Sequence, residues 1–448
     1  MADARRPCRA RGALVAGAAL LAWALAACQA LTPGSAIEAP GPRAAPSATA
    51  VPDGDVTLRL EFTDAPPMVD ALVAAFEARH PRVTVEPRYK TFSDYVRSLG
   101  LTMTSDSAPD LAQYAVGMGE LAAAGHVLDL AGYRAAYGWD ASVPPVSLDQ
   151  LTAGLTSGAT GGDALFGMPA GLSMTGVYVN RELAARAGID GPPATLGEFE
   201  EQLAAARAAG LTPLAVGALD AGGLHLWAAL LNQTVRVDDY RDWVDGVAGA
   251  TIETPGALAA TERLVAWGRR GFVDDAANGT SQVDSTARFA RGDGVFLLNG
   301  NWAAGQLADV LGDDLGFFPM PGEHAAGPTV ASGFGFAFAV SSRTEHPAAA
   351  GAFLDFLASP EANVIIAEHG FLPGDPDAVP PPTGVFADIA EGHRRAVADD
   401  GITAFPDFAA PAMLDALRSG VQKLLADRVA AADFLASTQE VWRAAHPG

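Results

Sequence analysis

The chain has 448 residues, 49% of them hydrophobic, and its 52 acidic against 29 basic side chains give a formal net charge of −23. Only two of the basic residues are lysines, Lys90 and Lys423, so the clustered cationic face that nucleic acid requires is excluded. The same imbalance disfavours a strongly anionic ligand unless a few arginines dominate locally. A chain of this length buries enough apolar surface to do without disulfides and points to two domains or more.

Arg5, Arg6, Arg9 and Arg11 precede an apolar run of 15 residues, Ala13 to Ala27. Basic residues before a short hydrophobic stretch mark a secretory signal, and the run falls below the roughly 20 residues that a bilayer-spanning helix needs. Its end, Leu25-Ala26-Ala27-Cys28, resembles the bacterial lipobox, in which the cysteine is diacylated and becomes the first residue of the exported chain. The resemblance implies a signal peptide over residues 1–27 and a lipid anchor at Cys28, holding the protein on the outer face of the cell membrane. Removal of residues 1–27 takes away four arginines and one aspartate, leaving 25 basic and 51 acidic residues and a net charge of −26. Cys28 is then the only cysteine, which excludes an internal disulfide and a thiolate metal site. Residues 28–55, rich in Ala, Pro, Ser, Thr and Gly, read as a flexible linker.

Folding is predicted to begin at the alternating strand Val56–Phe62, followed by a helix from Met68 to Arg79 with Val69, Leu72, Val73 and Phe76 at helical spacing. A strand over 83–89 and a helix over 92–102 come next. Strand, helix, strand, helix with short links predicts a mostly parallel sheet covered on both faces, an α/β fold. The alternation continues with a strand end at 110–114, a helix at 118–124 and a strand at 177–180. Thr195 and Glu198 form a capping box opening a helix that Gly210 closes. Further strands are predicted at 214–216, 294–298, 315–319 and 335–340, and helices at 223–232, 255–270, 283–291 and 346–357. At least two more helices belong to the last hundred residues.

Several apparent motifs carry nothing. Asn232-Gln233-Thr234 and Asn278-Gly279-Thr280 match a glycosylation sequon, which the bacterial-type lipobox makes irrelevant. Asp274, Asp275, Asn278 and Asp284 lack the spacing of a calcium loop, and the eight histidines show no metal-ligand spacing. No phosphate-binding loop, dinucleotide fingerprint, nucleophile elbow or HExxH is present, so no cofactor, metal or catalytic residue is expected.

Six segments carry a family resemblance: Val69 to Pro81; Ala108-Pro109-Asp110-Leu111-Ala112-Gln113; Phe166-Gly167-Met168-Pro169 with Val177-Tyr178-Val179-Asn180; Pro193 to Phe199; Gly292 to Trp302; and Gly370-Phe371-Leu372-Pro373. In order and spacing they resemble the bacterial extracellular solute-binding proteins of ABC importers, in the sugar-binding branch related to maltose-binding protein. The resemblance implies a bilobal periplasmic-binding-protein-like fold whose chain crosses a hinge about three times. It places 56–170 and 318–358 in the N-terminal lobe, and 171–317 and 359–448 in the C-terminal lobe. It implies a monomer that binds a carbohydrate ligand between the lobes, does no chemistry on it, and delivers it to the transmembrane subunits of an ABC permease.

Trp302 leads the candidates for the cleft. It follows Asn299-Gly300-Asn301 at the end of an apolar strand, where the family places a stacking tryptophan, and its ring suits the C–H face of a sugar. Asn299 and Asn301 can serve hydroxyls or cap the next helix. Asp110, Gln113 and Tyr114 lie along one strand, Asp110 being either a ligand carboxylate or a backbone anchor. Asp64 follows the first strand, as ligand contact or as cap of the next helix. His225 and Trp227 share a helix whose alternative role is plain core packing. Ser173 and Met174 sit near a crossing. Gly333, Phe334 and Gly335 allow close backbone approach to ligand or hinge, and Phe371 supplies a second wall.

Bound ligand is then expected to draw the lobes together by binding the closed form better. The competing readings are the same fold holding a phosphorylated polyol, another polar metabolite or a peptide, a sensor or scaffold lipoprotein that has lost transport, and a secreted glycoside hydrolase with paired carboxylates.

Overall fold

The computed structural model describes residues 43–143 and 164–447 except 48, 52 and 375–378, with 148, 151 and 152 between them. The expected signal peptide and Cys28 lie outside the described residues.

Two sheets organise the chain. In the first, strands run in the order Val83–Tyr89, Val56–Phe62, Leu111–Gln113, Gly335–Val340, Met168–Leu172. Val56, Leu58 and Leu60 are buried while Thr57 is exposed, the alternation that the sequence displays. Helix Pro66–Arg79 packs Met68, Val69, Leu72, Val73 and Phe76 onto this sheet, with Phe76 edge-on to Phe353 of helix Pro347–Leu357 at 5.1 Å. The second sheet has the order Leu315–Phe318, Thr175–Asn180, Phe296–Gly300, Leu214–Ala215. Its core holds Phe199, Trp227, Trp243 and Trp267, all fully buried. The predicted capping box is present, with a shift: Thr195 Oγ1 accepts from the Glu198 amide at 3.2 Å, while the Glu198 carboxylate accepts from Ala194, one residue ahead of the cap.

In each sheet every strand but one runs in the same direction, the mostly parallel arrangement expected, with one strand reversed. Val56–Phe62 is parallel to both its neighbours, but Gly335–Val340 is antiparallel to Leu111–Gln113 and to Met168–Leu172. In the second sheet only Leu214–Ala215 with Phe296–Gly300 is parallel. The reason is topological. A strand that re-enters a lobe from the hinge must start where its neighbours end, so it runs against them.

Strand and core membership also divide the chain at points other than those expected. Residues 318–332, assigned to the first lobe, stay with the second: Phe318 and Met320 belong to its core, and Ala331–Ser332 pairs with Ile402–Thr403. Residues 359–371, assigned to the second lobe, stay with the first, where Ala362, Ile366 and Phe371 join its core. Within the expected linker, Arg43–Ala44 pairs with Leu128–Asp129, and Ala45 is buried, so this part of the segment lies against the first lobe.

Three chain segments cross between the lobes side by side. Leu172 and Leu372 exchange backbone hydrogen bonds of 2.8 and 3.2 Å. Ser173 donates from its amide (2.9 Å) and its hydroxyl (2.7 Å) to the Phe334 carbonyl. Gly333 lies so close to the Ser173 carbonyl that a Cβ there would overlap it, which explains the glycine at the hinge.

Candidate functional site

The strand directions determine what faces the gap between the lobes. Val56–Phe62, Leu111–Gln113 and Met168–Leu172 all point their C-terminal ends at it, delivering Asp64, Tyr114 and Ser173, while Gly335–Val340 begins there, delivering Phe334 and Gly335. From the second lobe, Phe296–Gly300 ends at the gap and passes into a single 3-10 turn, Asn301–Ala303, that carries Trp302. The N-terminal turn of helix Gly222–Thr234 brings His225, and the 3-10 turn Pro406–Ala409 brings Asp407 and Phe408. The space between these walls, counted out to its open mouth and including the solvent there, is about 710 Å³.

Aromatic rings make most of the wall. Phe334 and Phe408, one from each lobe, stack at 4.7 Å, and Tyr114 lies 5.8 Å from Phe334. Trp302 is half-buried and meets His225 edge-on at 5.7 Å and Phe405 at 6.2 Å. Its ring lies over Gly300, where a Cβ would collide with it. Phe92, Phe336 and Phe371 complete the apolar lining.

The polar groups are few and differ in state. Gln113 is buried and serves the loop beside it: its Oε1 accepts from the amides of Thr63 (2.9 Å) and Asp64 (3.2 Å), and its Nε2 donates to Asp64 Oδ2 at 2.7 Å. Burial pushes the Asp64 carboxyl up to about 6, opposed by the hydrogen bond from Gln113. Asp64 does not cap the following helix; Ala65 occupies that position with a left-handed backbone (φ 48). His225 is neutral, pushed down to about 4 by burial. Its Nδ1 lies 3.3 Å from Gln282 Nε2, an amide nitrogen, so Nδ1 accepts. Gln282 Nε2 also donates to Asn299 Oδ1 (2.8 Å), and Asn299 Nδ2 donates to Thr286 Oγ1 (2.8 Å). Asp407 is 4% exposed, its Oδ1 has no hydrogen-bond partner among the described residues, and burial raises its carboxyl to about 7. No arginine or lysine lines the cavity among the described residues.

The cavity thus brings together nine expected residues: Asp64, Gln113, Tyr114, Ser173, His225, Trp302, Phe334, Gly335 and Phe371. Five others stand elsewhere. Asp110 is a backbone anchor, accepting from the Arg59 amide (2.9 Å) and the Thr344 hydroxyl (2.6 Å). Trp227 is fully buried in the second core, with Nε1 on Thr261 Oγ1 at 3.0 Å and its ring edge-on to Phe434. Asn301 ties the hinge instead of capping a helix, accepting from the Met174 amide (3.0 Å) and donating to the Gly370 carbonyl (2.7 Å). Met174 is wholly buried in a third apolar cluster, and Asn299 stands one layer behind Gln282. Sequence reasoning missed Phe92, Gln282, Phe336, Phe405, Asp407 and Phe408. The run Phe405-Pro406-Asp407-Phe408, two phenylalanines around a carboxylate in a chain with only 8% aromatics, was the available signal.

Among solved structures, a chitin oligosaccharide binding protein superposes with a TM-score of 0.75 at 22% identity, covering 89% of this chain and 100% of the other. A structure from work on xylan utilization by the thermophilic bacterium Caldanaerobius polysaccharolyticus gives a TM-score of 0.73 at 19% identity, covering 86% and 99%. The GacH receptor of Streptomyces glaucescens, solved unliganded and with acarbose, gives 0.70 at 18% identity, covering 88% and 98%. These likenesses establish the shared bilobal fold. A search of curated proteins returns no match. The family model for bacterial extracellular solute-binding proteins matches residues 71–391, and the chain belongs to that family.

Proposed function

We propose that the protein is the substrate-binding component of an ABC sugar importer, which captures a mono- or oligosaccharide between its lobes and hands it to a membrane permease. The observation that carries this reading is the aromatic cavity with Trp302 half-buried in its wall and walls supplied by both lobes. A pyranose offers C–H faces to rings and a rim of hydroxyls to polar groups, and Tyr114, Ser173, Gln282, His225 and the two carboxylates are the polar groups at hand. The structural relatives support the same class of ligand: one is described as a chitin oligosaccharide binding protein, one comes from work on xylan utilization, and one was solved in complex with acarbose. A phosphorylated ligand fits less well, because no lining arginine or lysine would meet its charge.

Contact with both lobes gives the ligand a higher affinity for the closed form, and that difference drives closure. Wrong sugars leave buried donors or acceptors unmatched, each at a cost of about 1–3 kcal/mol. The protein acts outside the cytoplasm, as its family does; tethering through acylated Cys28 belongs to the proposal, and a Cys28→Ala chain should leave the membrane fraction and lose label from radioactive palmitate. Isothermal titration against a saccharide panel tests binding. One class should bind saturably, and Trp302→Ala should weaken it about tenfold or more with an unchanged circular dichroism spectrum. Unchanged affinity in the folded variant would remove Trp302 from the site.

A further inference from the structure

We propose that the saccharide taken by this cavity bears a protonated amine, whose charge is met by the Asp407 carboxylate of the second lobe, with Asp64 of the first lobe as a further anionic contact. The inference rests on the reading of the cavity as a saccharide site and narrows it. Three carboxylates in the described structure are buried: Glu61, Asp110 and Asp407. Glu61 is paired with Lys90 Nζ at 2.8 Å, and Asp110 accepts from the Arg59 amide and the Thr344 hydroxyl. Asp407 alone of the three keeps an oxygen, Oδ1, with no partner among the described residues, and it lines the cavity.

A buried carboxylate without a cation is costly, and the cost is relieved by protonation or by an arriving positive charge. A neutral hydroxyl can donate a hydrogen bond to Oδ1 but leaves the charge uncancelled. An ammonium donates and cancels it together, giving the shorter and stronger charge-assisted bond. The walls agree with the charge. Aromatic rings, Trp302 and Phe405 among them, make most of the lining, and an aromatic face attracts a cation within about 6 Å. With no arginine or lysine in the lining, nothing on the protein side repels it, and the acidic chain as a whole steers cations inward.

The test compares matched sugars by calorimetry on the purified full chain, at a pH above about 7, where Asp407 is ionised, and below the pKa of the sugar amine. The probes are glucosamine and galactosamine with their short oligomers, the same compounds N-acetylated, the corresponding neutral sugars, and choline as a cation that is not a sugar. The expected result is an amine-bearing sugar bound about tenfold or more tightly than its N-acetylated and neutral counterparts, with Asp407→Asn reducing that ratio about tenfold. Should the variant fail to fold, the preference of the unaltered protein still decides. Neutral or N-acetylated sugars bound as tightly as the amines would overturn this proposal and leave the saccharide reading standing. A folded protein that binds none of these probes would overturn this proposal alone, the wider saccharide panel deciding the saccharide reading, whereas choline bound without any sugar across that panel would overturn both.

Discussion

Asp407 and Trp227 show at the scale of single residues how differently two side chains of the same lobe are used. Asp407 is held above its ordinary value, at about 7, so the folded protein binds a proton there that the unfolded chain releases near 3.8. Its contribution to stability is therefore present at low pH and is lost as the pH rises from about 4 through 7, by at most about 4 kcal/mol. Ligand-free Asp407→Asn should be more stable than the parent above pH 7 and lose this advantage near pH 4, as thermal melts across that range would record. Melts in which parent and variant keep a constant offset would mean that Asp407 is not held protonated. Trp227 is a packing residue, so Trp227→Ala should cost about 3–5 kcal/mol in urea unfolding, with the affinity of the folded fraction unchanged. The two outcomes were not equally legible. Trp302 could be placed because an apolar strand ends just before it, whereas helical spacing alone could not decide whether Trp227 faced the cavity or the core. Asp407 escaped because it sits on a short 3-10 turn with no periodic pattern around it.

Among elements, strand ends are the units that build the cavity, and strands were the more readable part of the chain. Leu58 and Leu60 alternate with polar neighbours, so the first strand and the loop with Asp64 were visible; so were Phe296–Gly300 and the turn to Trp302. Short helices such as Arg181–Arg186, Val237–Val244 and Ala304–Leu311 were not named, because one or two turns give too few positions for a period to show. The one reversed strand of each sheet was not foreseen for a related reason: local alternation says that a segment is extended but not which way a hinge makes it run. Gly300 links the strand to the site, since a Cβ there would collide with the Trp302 ring. Gly300→Ala should therefore displace the indole, shift tryptophan fluorescence and weaken sugar binding about tenfold, while circular dichroism stays unchanged. Retained affinity would mean that the ring tolerates another position.

For the whole molecule, the three crossings decide how the lobes can move. Backbone bonds between Leu172 and Leu372 and between Ser173 and Phe334 hold adjacent crossings together at the hinge, while the lobes on either side keep separate cores. Such a clamp changes its opening with little disturbance inside each lobe. Small-angle scattering should then show a smaller radius of gyration or none of the open form when saturating sugar is present, with no change in secondary structure. The order of the elements made this architecture readable from the sequence, but the places where the chain changes lobe were not, since hinge residues carry no periodic signature of their own.

Hydrogen–deuterium exchange with and without a bound saccharide tests the central claim most directly, because it reports which backbone segments the ligand covers. Protection is expected at residues 63–65, 113–116, 221–225, 300–303, 334–336 and 405–408, drawn from both lobes and converging on the cavity. Protection confined to one lobe, or centred on an outer face while these segments exchange as before, would contradict it.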